Sequence, residues 1–393
     1  MKMGENNKVV KPVAKMLAPG WTRPNSRSTA VLLSTEPHVL RALFLGLSVL
    51  VLLCSSMANA AIRPGDPPRP LFRSDDIIDI DLLIPDLRTL IRLAPKSVEP
   101  RAMQLRYRYE GETYLLNGNV QARGNARRDP SVCSFPPLRL IFEQKLRKVP
   151  LFTGHKKIKL VTHCQRKARF EQLMLREYTA YKMMNEISPV SLRVRLVRIN
   201  YYKGRQTSPS MTRLGFFIED IDDLAKRHGL REYDTGAIKA TTLEKETATL
   251  FALFQYLIAN LDYSPNLPKI GNTCCHNVKL LLPYSLTEAK TNSVVPVAYD
   301  FDYSGFVDAP YAINHGDIPI SSRLFRGVCA YNDTVNQYRE RLLTLEERLF
   351  EVIAAVPETT DKNRETMRAF LTKSLTLLAS PTFLEQTAIH CIS

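Results

Sequence analysis

Three oxygen-bearing side chains stand at the ends of apolar segments in the second half of the chain. Asp262 follows a strongly apolar segment and enters a loop. Asn277 directly precedes the apolar run 278–282, and Asp300 directly follows the apolar run 294–299. Magnesium-dependent phosphotransferases use one carboxylate to accept or orient a hydroxyl proton, while an Asn and a later Asp hold the cation against the phosphates. Because Asp and Asn are also frequent in structural turns, this interpretation depends on what the rest of the chain supplies.

The first half of the chain supplies a carboxylate and two lysines. A helix is predicted over 168–187, and Glu177 falls on its apolar stripe, four residues after Leu173. A carboxylate buried without a cation is costly, so Glu177 is predicted to pair with Lys157 or Lys159 of a nearby strand. The alternative is that Glu177 lies at the edge of the stripe and reaches water.

The elements that carry these residues begin with antiparallel strands. Leu105 and Tyr107 alternate with Gln104 and Arg106, and the sequence Glu-Gly-Glu at 110–112 supplies a hairpin turn. The same alternation and short turns continue toward the middle of the chain. Strands are predicted at 103–109, 113–123, 138–142, 157–162, 192–202 and 214–219.

The second half is predicted to be mainly helical. Thr241 and Glu244 have the spacing of a capping box, which opens an apolar helix leading to Asp262. Long helical patterns close the chain at 342–356 and 364–378. Four segments are therefore predicted: a disordered leader with a signal peptide or anchor (1–60), an entry segment packed on the domain surface (61–100), a strand-rich lobe (101–225) and a mainly helical lobe (226–393).

The N-terminal region predicts export. The apolar run 42–54 is shorter than the roughly 20 residues that a membrane span needs, but it has the length of a signal-peptide core. Ala58-Asn59-Ala60 then fits the small-x-small rule for cleavage. The chain is expected in the periplasm or outside the cell, and the alternative is an uncleaved anchor formed by residues 42–54.

Six cysteines follow the signal segment, an even number that suggests disulfides in an oxidising compartment. Cys133 and Cys164 lie near neighbouring predicted strands and are expected to pair. Cys329 is expected to join one member of the vicinal pair Cys274-Cys275, which leaves Cys391 for the other. A zinc site is the alternative, although no spaced Cys-x-x-Cys pair supports it. Its ligands would be Cys274, Cys275, His276, His163 and Cys164.

The composition excludes some classes of protein. With 45% hydrophobic and 24% charged residues, the chain matches neither a disordered nor a multi-span membrane protein. The formal charge of +15 suits anionic partners, or it is simply a basic surface. No nucleic-acid partner is expected, because the basic strands lack interleaved aromatic residues.

Several short segments together resemble the CotH-like atypical protein kinases, in order, over about residues 101–310. They are Arg-Gly-Asn-Ala at 123–126, Phe-Pro-Pro-Leu-Arg-Leu at 135–140, Lys-Ile-Lys-Leu at 157–160, Arg-Glu at 176–177, Asn-Leu-Asp at 260–262 and Tyr-Asp-Phe-Asp-Tyr-Ser-Gly at 299–305. The resemblance implies an α+β, two-lobed protein-kinase-like fold, with an antiparallel-sheet N-lobe that carries one helix and a mainly helical C-lobe. It also implies a protein that binds ATP with Mg²⁺ or Mn²⁺ and phosphorylates Ser or Thr of a protein partner. The chain is expected to be a monomer.

The resemblance also implies a role for individual residues. Asp262 would be the catalytic Asp. Asn277 and Asp300 would bind the metal, with Asp302 as a neighbour or substitute for Asp300. Arg123 and Lys157 or Lys159 would contact the phosphates, and the lysine would pair with Glu177.

Two features depart from the family pattern. The interval from Asp262 to Asn277 is longer than the family's tight loop and holds the vicinal cysteines, and the only glycine at the expected nucleotide loop is Gly124. The alternative function is therefore a non-catalytic envelope protein that keeps the fold and binds anionic partners through its basic face.

Overall fold

The computed structural model of the chain describes residues 65–204, 206–269, 273–314 and 318–393. These residues belong to one compact unit, Ile62–Ser393. The predicted leader, signal peptide and anchor lie outside the described residues. Within the described ranges, every helix is too short or too polar to cross a bilayer.

Seven strands close into a barrel in the order β1-β2-β3-β4-β5-β7-β6. All neighbours are antiparallel except β1 and β6, which run parallel with Ile80 opposite Ile199. A short helix, α1 (Leu87–Leu93), links β1 to β2. The strands are β1 (Ile78–Leu83), β2 (Arg101–Tyr109), β3 (Glu112–Ala122), β4 (Leu138–Ile141), β5 (Lys157–Val161), β6 (Val194–Tyr202) and β7 (Met211–Ile218).

The hairpin of β2 and β3 follows directly from the sequence. Met103, Leu105 and Tyr107 are buried on one face of β2, as the alternation predicts. Glu110 and Gly111 form the two-residue turn with φ angles of 50° and 83°. Positive φ at both positions is typical of the type I′ turn, whose twist matches that of the flanking strands. The predicted hairpin is confirmed.

Large side chains fill the interior of the barrel. Tyr107 packs on Phe152 with ring centroids 4.9 Å apart, and Phe152 meets Phe217 edge-on at 5.9 Å. All three are almost fully buried, together with Tyr201 and Phe142. The interior of the barrel is therefore filled by side chains, as in a packed core.

A second, antiparallel sheet and most of the helices lie outside the barrel. The sheet has the order β10-β9-β8, and helix α4 lies against β10. Every residue of α4 from Thr247 to Leu257 is buried, and Glu244 caps its N-terminus by accepting hydrogen bonds from the N–H groups of Glu246 and Thr247. The elements are α2 (Ala168–Ile187), α3 (Ile221–Arg227), β8 (Leu230–Glu232), α4 (Lys245–Leu257), β9 (Val278–Pro283), β10 (Val295–Ala298), α5 (Asn332–Leu343), α6 (Glu346–Ala355), α7 (Asp361–Ala379) and α8 (Pro381–Gln386). Helix α2 contacts β6 and β7 of the barrel on one side and helices α4 and α6 on the other.

The predicted two-lobed protein-kinase-like fold is wrong. The strands of the first half do not form an N-lobe with an open antiparallel sheet, because β1 and β6 pair and close the barrel. Strand β1 lies within 61–100, which was expected to pack on the surface as an entry segment. Closure removes both sheet edges, and it requires a pairing between segments far apart in sequence. The boundary predicted between residues 225 and 226 falls inside α3.

The described cysteines form three disulfides. Cys133–Cys164 joins the pair that the sequence predicts. The other prediction is wrong, because Cys274 bonds to Cys275 and Cys329 bonds to Cys391. These bonds also remove the sulfur ligands of the alternative zinc site. Three disulfides are consistent with the predicted oxidising compartment.

We expect the Cys133–Cys164 bond to stabilise the fold by limiting the unfolded chain. It closes a loop with a sequence separation of 31 residues. Replacing both cysteines with Ala should therefore lower the free energy of unfolding by about 2–4 kcal/mol, measured by urea denaturation. The control is Cys274→Ala/Cys275→Ala, since adjacent residues enclose no comparable loop. An equal loss in both variants would contradict the loop argument.

Candidate active site

A buried arginine connects three carboxylates. Arg127 lies on a short 3₁₀ segment, Ala126–Arg128, that follows β3. Its guanidinium lies 3.1 Å from Oε2 of Glu177, 2.9 Å from Oδ1 of Asp300 and 3.2 Å from Oδ2 of Asp302. One oxygen from each of the three carboxylates lies within 4.8 Å of the others. We call these four residues the Arg127 cluster.

Local packing explains how the two aspartates reach Arg127. They follow β10 and flank Phe301, which is fully buried and packs on Tyr181 of α2 at 4.6 Å. The Asp300 N–H donates to the Tyr181 hydroxyl at 2.9 Å, one turn beyond Glu177 on the same helix. Phe301 therefore anchors the segment while the side chains on either side turn toward α2 and Arg127.

The predicted pairing of Glu177 with Lys157 or Lys159 is wrong, because the cation that meets Glu177 is Arg127. The physical expectation behind it was sound, since Glu177 is buried and does have a cation partner. Arg127 was missed because it lies outside any periodic segment. The available signal was its place two residues after the Arg-Gly-Asn sequence at 123–125, four residues from Arg123.

The carboxylates of the cluster titrate differently. Burial alone would raise the pKa of Asp300, but the charges of Arg127 and then Arg123 bring it below its usual value. Burial raises the pKa of Glu177 despite Arg127. Burial also raises the pKa of Asp302 well above normal, with a further contribution from the charges of Asp300 and Glu177. One guanidinium cannot balance three ionised carboxylates, so Asp300 carries the negative charge most readily.

This arrangement limits where a divalent cation fits. Asp302 and Glu177 are almost completely buried against Arg127, whereas the Asp300 side chain is 33% exposed. Glu177 also keeps a buried oxygen, Oε1, with no hydrogen-bond partner among the described residues. Asp300 is therefore the member of the cluster that a cation can approach from outside, and its carboxylate oxygens are the ligands that a hard divalent cation prefers.

A basic cleft of about 280 Å³ lies where the end of the barrel meets the second sheet. Lys157 approaches Asp220 to 3.5 Å, and Lys279 pairs with Glu232. Within the described ranges, neither Arg123 nor Lys159 makes a salt bridge. The charged and aromatic residues that line the cleft are Arg123, Arg139, Lys157, Lys159, Asp220, Glu232, Lys279 and Tyr299.

Burial and neighbouring charge affect the two unpaired cations. Burial, followed by the charge of Arg123, lowers the pKa of Lys159 to about 8, and its Nζ lies 5.7 Å from the centroid of the Tyr299 ring. Burial also lowers the pKa of Arg123. Both cations lower the pKa of Asp300, so the cleft adjoins the Arg127 cluster electrostatically. An anion bound here would relieve the unfavourable placement of Lys159 and Arg123.

Asp262 lies in a third group, held by two residues that follow the vicinal disulfide. His276 Nε2 is 2.7 Å from Oδ1 of Asp262. The Asn277 amide donates to Oδ2 of Asp262 at 2.9 Å and to its backbone carbonyl at 2.7 Å. Tyr303 is near both this group and the cluster: burial raises its pKa first, and the charges of Asp302 and Asp262 raise it further.

The structure thus divides the predicted site residues among three neighbouring groups. Asp262 and Asn277 are hydrogen-bonded to each other, Asp300 and Asp302 join Glu177 in the Arg127 cluster, and the phosphate-contacting residues line the basic cleft. Because Asn277 uses its amide nitrogen on Asp262, only its oxygen would be available to a metal. Sequence reasoning did not assign Arg127, Arg139 or Lys279 to the site, and it considered His276 only as a zinc ligand.

A larger cavity, of about 760 Å³, lies on the barrel wall beside β1 and β2. Its acidic residues already have partners. Asp81 pairs with Arg106 at 2.6 Å, and Asp79 pairs with Arg198 at 3.0 Å. The basic cleft, with its unpaired cations and the adjacent carboxylates, is the better candidate for chemistry despite its smaller volume.

Comparison of the chain with known protein families gives no match, and comparison with curated proteins gives none either.

Replacing Arg127 with Met should strongly destabilise the protein, because it leaves the buried carboxyl groups of Glu177 and Asp302, and the partly exposed Asp300, without their cation. We expect the free energy of unfolding to fall by about 3–5 kcal/mol. Arg128→Met is the matched control, since the partners of the Arg128 side chain among the described residues are two backbone carbonyls, those of Gly124 and Ala94. It should cost about 1 kcal/mol. Adding Glu177→Gln to Arg127→Met should recover part of the loss, and equal stability of the two single variants would contradict the role of the cluster.

Lys159 should leave a signature in the pH dependence of stability. Its pKa is lowered to about 8 in the folded protein, against 10.5 for the ordinary side chain. Between these two pKa values the unfolded state binds more protons than the folded state, so the free energy of unfolding rises with pH. Below about pH 8 both states are protonated, and the full cost of burying the charged ammonium is present. Lys159→Met should abolish this rise in urea denaturation experiments, whereas Lys157→Met should retain it, because the Lys157 side chain is 53% exposed. The same pH profile in both variants would contradict the assignment.

Proposed function

We propose that this protein is an exported phosphotransferase that transfers the γ-phosphate of ATP to Ser or Thr of a protein partner, with Mg²⁺ or Mn²⁺. The observation that carries the proposal is the basic cleft, where Arg123 and Lys159 lack carboxylate partners beside the ionised Asp300. The motif resemblance to the CotH-like kinases supports the same chemistry, although the barrel is not the fold that it implied.

In this proposal the triphosphate lies in the basic cleft. Arg123 and Lys159 would neutralise phosphate oxygens, as would Arg139 and Lys279 on the neighbouring strands. Phosphoryl transfer depends mainly on positioning and on charge stabilisation, so fixed cations are the main contribution that a protein makes. The lowered pKa of Lys159 supports this role, because a bound phosphate would stabilise the charged ammonium and raise its pKa again.

Asp300 would hold the divalent cation at the edge of the cleft. Its carboxylate is ionised by Arg127 and Arg123 and is partly exposed. When bound, the cation would neutralise charge on the phosphate oxygens. Asp302 remains a proposed ligand, and it would have to share its side chain with Arg127. Asn277, a metal ligand in the motif resemblance, donates its side-chain amide to Asp262 instead.

Asp262 would accept or orient the proton of the acceptor hydroxyl. The side chain is 24% exposed, so an acceptor can reach it. Its two carboxylate oxygens already face His276 and Asn277, but each oxygen has a further lone pair for a hydroxyl proton. The three disulfides support a site of action in the periplasm or outside the cell.

A second candidate is a non-catalytic protein that binds anionic partners through the cleft. The Arg127 guanidinium favours this candidate, because it meets all three carboxylates and so takes a place that a metal would otherwise occupy. Such a protein would bind phosphates without transferring them. The two candidates share the basic cleft and differ in whether Asp300 and Asp262 act on the bound ligand.

The kinase proposal predicts both nucleotide binding and transfer. Purified protein should bind ATP in the presence of Mg²⁺ or Mn²⁺, measured by calorimetry, and should incorporate radiolabelled γ-phosphate. Asp262→Asn should abolish incorporation with binding retained, because it removes the proton acceptor only. Asp300→Asn should reduce both, since it removes the ligand of the metal.

Asp361→Asn is the control, because Asp361 is exposed at the start of α7, outside the three groups of the site. Binding that depends on Lys159 without incorporation would favour the non-catalytic candidate. Absence of both binding and incorporation in the wild-type protein would overturn both.

A further inference from the structure

We propose that His276 and Asn277 form a clamp that positions Asp262, so that Asn277 acts on the carboxylate and not as a metal ligand. The inference rests on the proposed function and deepens it. Its basis is that adjacent residues each reach a different oxygen of one carboxylate: His276 reaches Oδ1 at 2.7 Å, and Asn277 reaches Oδ2 at 2.9 Å. Two directed contacts fix both the position and the rotation of the carboxylate plane.

Backbone conformation brings the clamp into place. Asn277 has a φ of 53°, in the left-handed region that Asn tolerates better than most residues. In this conformation the side-chain amide of Asn277 points back to Asp262, where it donates hydrogen bonds to both the carboxylate and the backbone carbonyl. An isolated bridge, in which the Ser264 N–H donates to the His276 carbonyl at 3.0 Å, keeps the two segments side by side.

Asp262 is also fixed from its other side. Its N–H donates to Oδ1 of Asn260 at 3.0 Å, and the Asn260 amide donates to Gln255 at 2.9 Å. Asn260 and Gln255 are each 1% exposed, so the support reaches into the buried helix α4. The clamp therefore connects Asp262 on one side to β9 and on the other to the protein core.

Stability alone does not account for this arrangement. Asp262 and His276 are 24% and 25% exposed, and partly exposed ionic contacts contribute little to folding. A carboxylate that simply ended a turn would be satisfied by local backbone N–H groups. Here it is held by side chains from a separate segment, and it stays accessible to solvent. A carboxylate that accepts a proton from a substrate hydroxyl needs both a fixed orientation and access to the substrate.

The test separates positioning from folding by comparing variants that keep or lose the donor. His276→Gln retains an N–H donor, whereas His276→Phe removes it and fills a similar volume. Transfer to the protein acceptor should fall by about 100-fold in kcat in His276→Phe. The KM for ATP should stay unchanged, and His276→Gln should recover most of the rate. Asn277→Ala should behave like His276→Phe, with Mg²⁺ affinity unchanged because Asn277 is not a ligand.

The control is His390→Gln, an exposed position near the C-terminus. The clamp is overturned if His276→Phe and His276→Gln lose the same activity, or if activity falls only in parallel with the unfolding midpoint. It is also overturned if Asn277→Ala weakens Mg²⁺ binding. Absence of transfer by the wild-type protein would overturn the proposed function itself, an outcome distinct from normal wild-type transfer that His276→Phe leaves unaffected.

Discussion

The Arg127 cluster is the interaction on which the arrangement of the site depends. A single guanidinium contributed by the segment after β3 meets one carboxylate from α2 and two from the segment after β10. It therefore joins the end of the barrel to α2 and to the segment after β10, and its contacts with Glu177 and Asp302 are almost completely buried. Removing water from charged groups is costly, and the cost is recovered only when all partners are in place. The elements that place the site residues are therefore stabilised only when the whole fold has assembled.

The cations of the site fall into two kinds. Arg127 is saturated with carboxylates and holds the structure together. Arg123 and Lys159 lie nearby in the cleft without such partners, and burial makes their charged forms less favourable. The carboxylate contacts of Arg127 stabilise the fold. Arg123 and Lys159 can still form favourable contacts with a bound anion. The distinction depends on distance and burial, so a count of basic residues or the net charge does not reveal it.

Local sequence features, such as turn residues and the spacing of apolar residues, were enough to predict part of this structure. The hairpin at Glu110-Gly111 and the bounds of α2 follow from turn chemistry and apolar spacing, and Cys133–Cys164 from nearby strands. The closure by β1 was not predictable in this way, because it depends on a parallel pairing between distant segments. The partner of Glu177 was missed for the same reason: burial requires a cation, but only the folded chain decides which one. Asp262 and Asn277 were predicted as neighbours in a site, whereas their direct hydrogen bond was visible only in three dimensions.

Strand β1 remains without its parallel partner during most of the synthesis of the barrel. It is synthesised before every other strand of the barrel, yet its parallel partner β6 appears only after β2 to β5 and α2. Until then, the backbone edge of β1 that β6 will pair is open, and its apolar face with Ile78, Ile80 and Leu82 is incompletely covered, so β1 could pair with another nascent molecule. Asp79 and Asp81 interrupt that edge with negative charge, which is how natural sequences protect aggregation-prone strands. In the folded protein the same two aspartates pair with Arg198 and Arg106 on the neighbouring strands. The charges that keep the unpaired β1 soluble thus form ion pairs on the outside of the barrel.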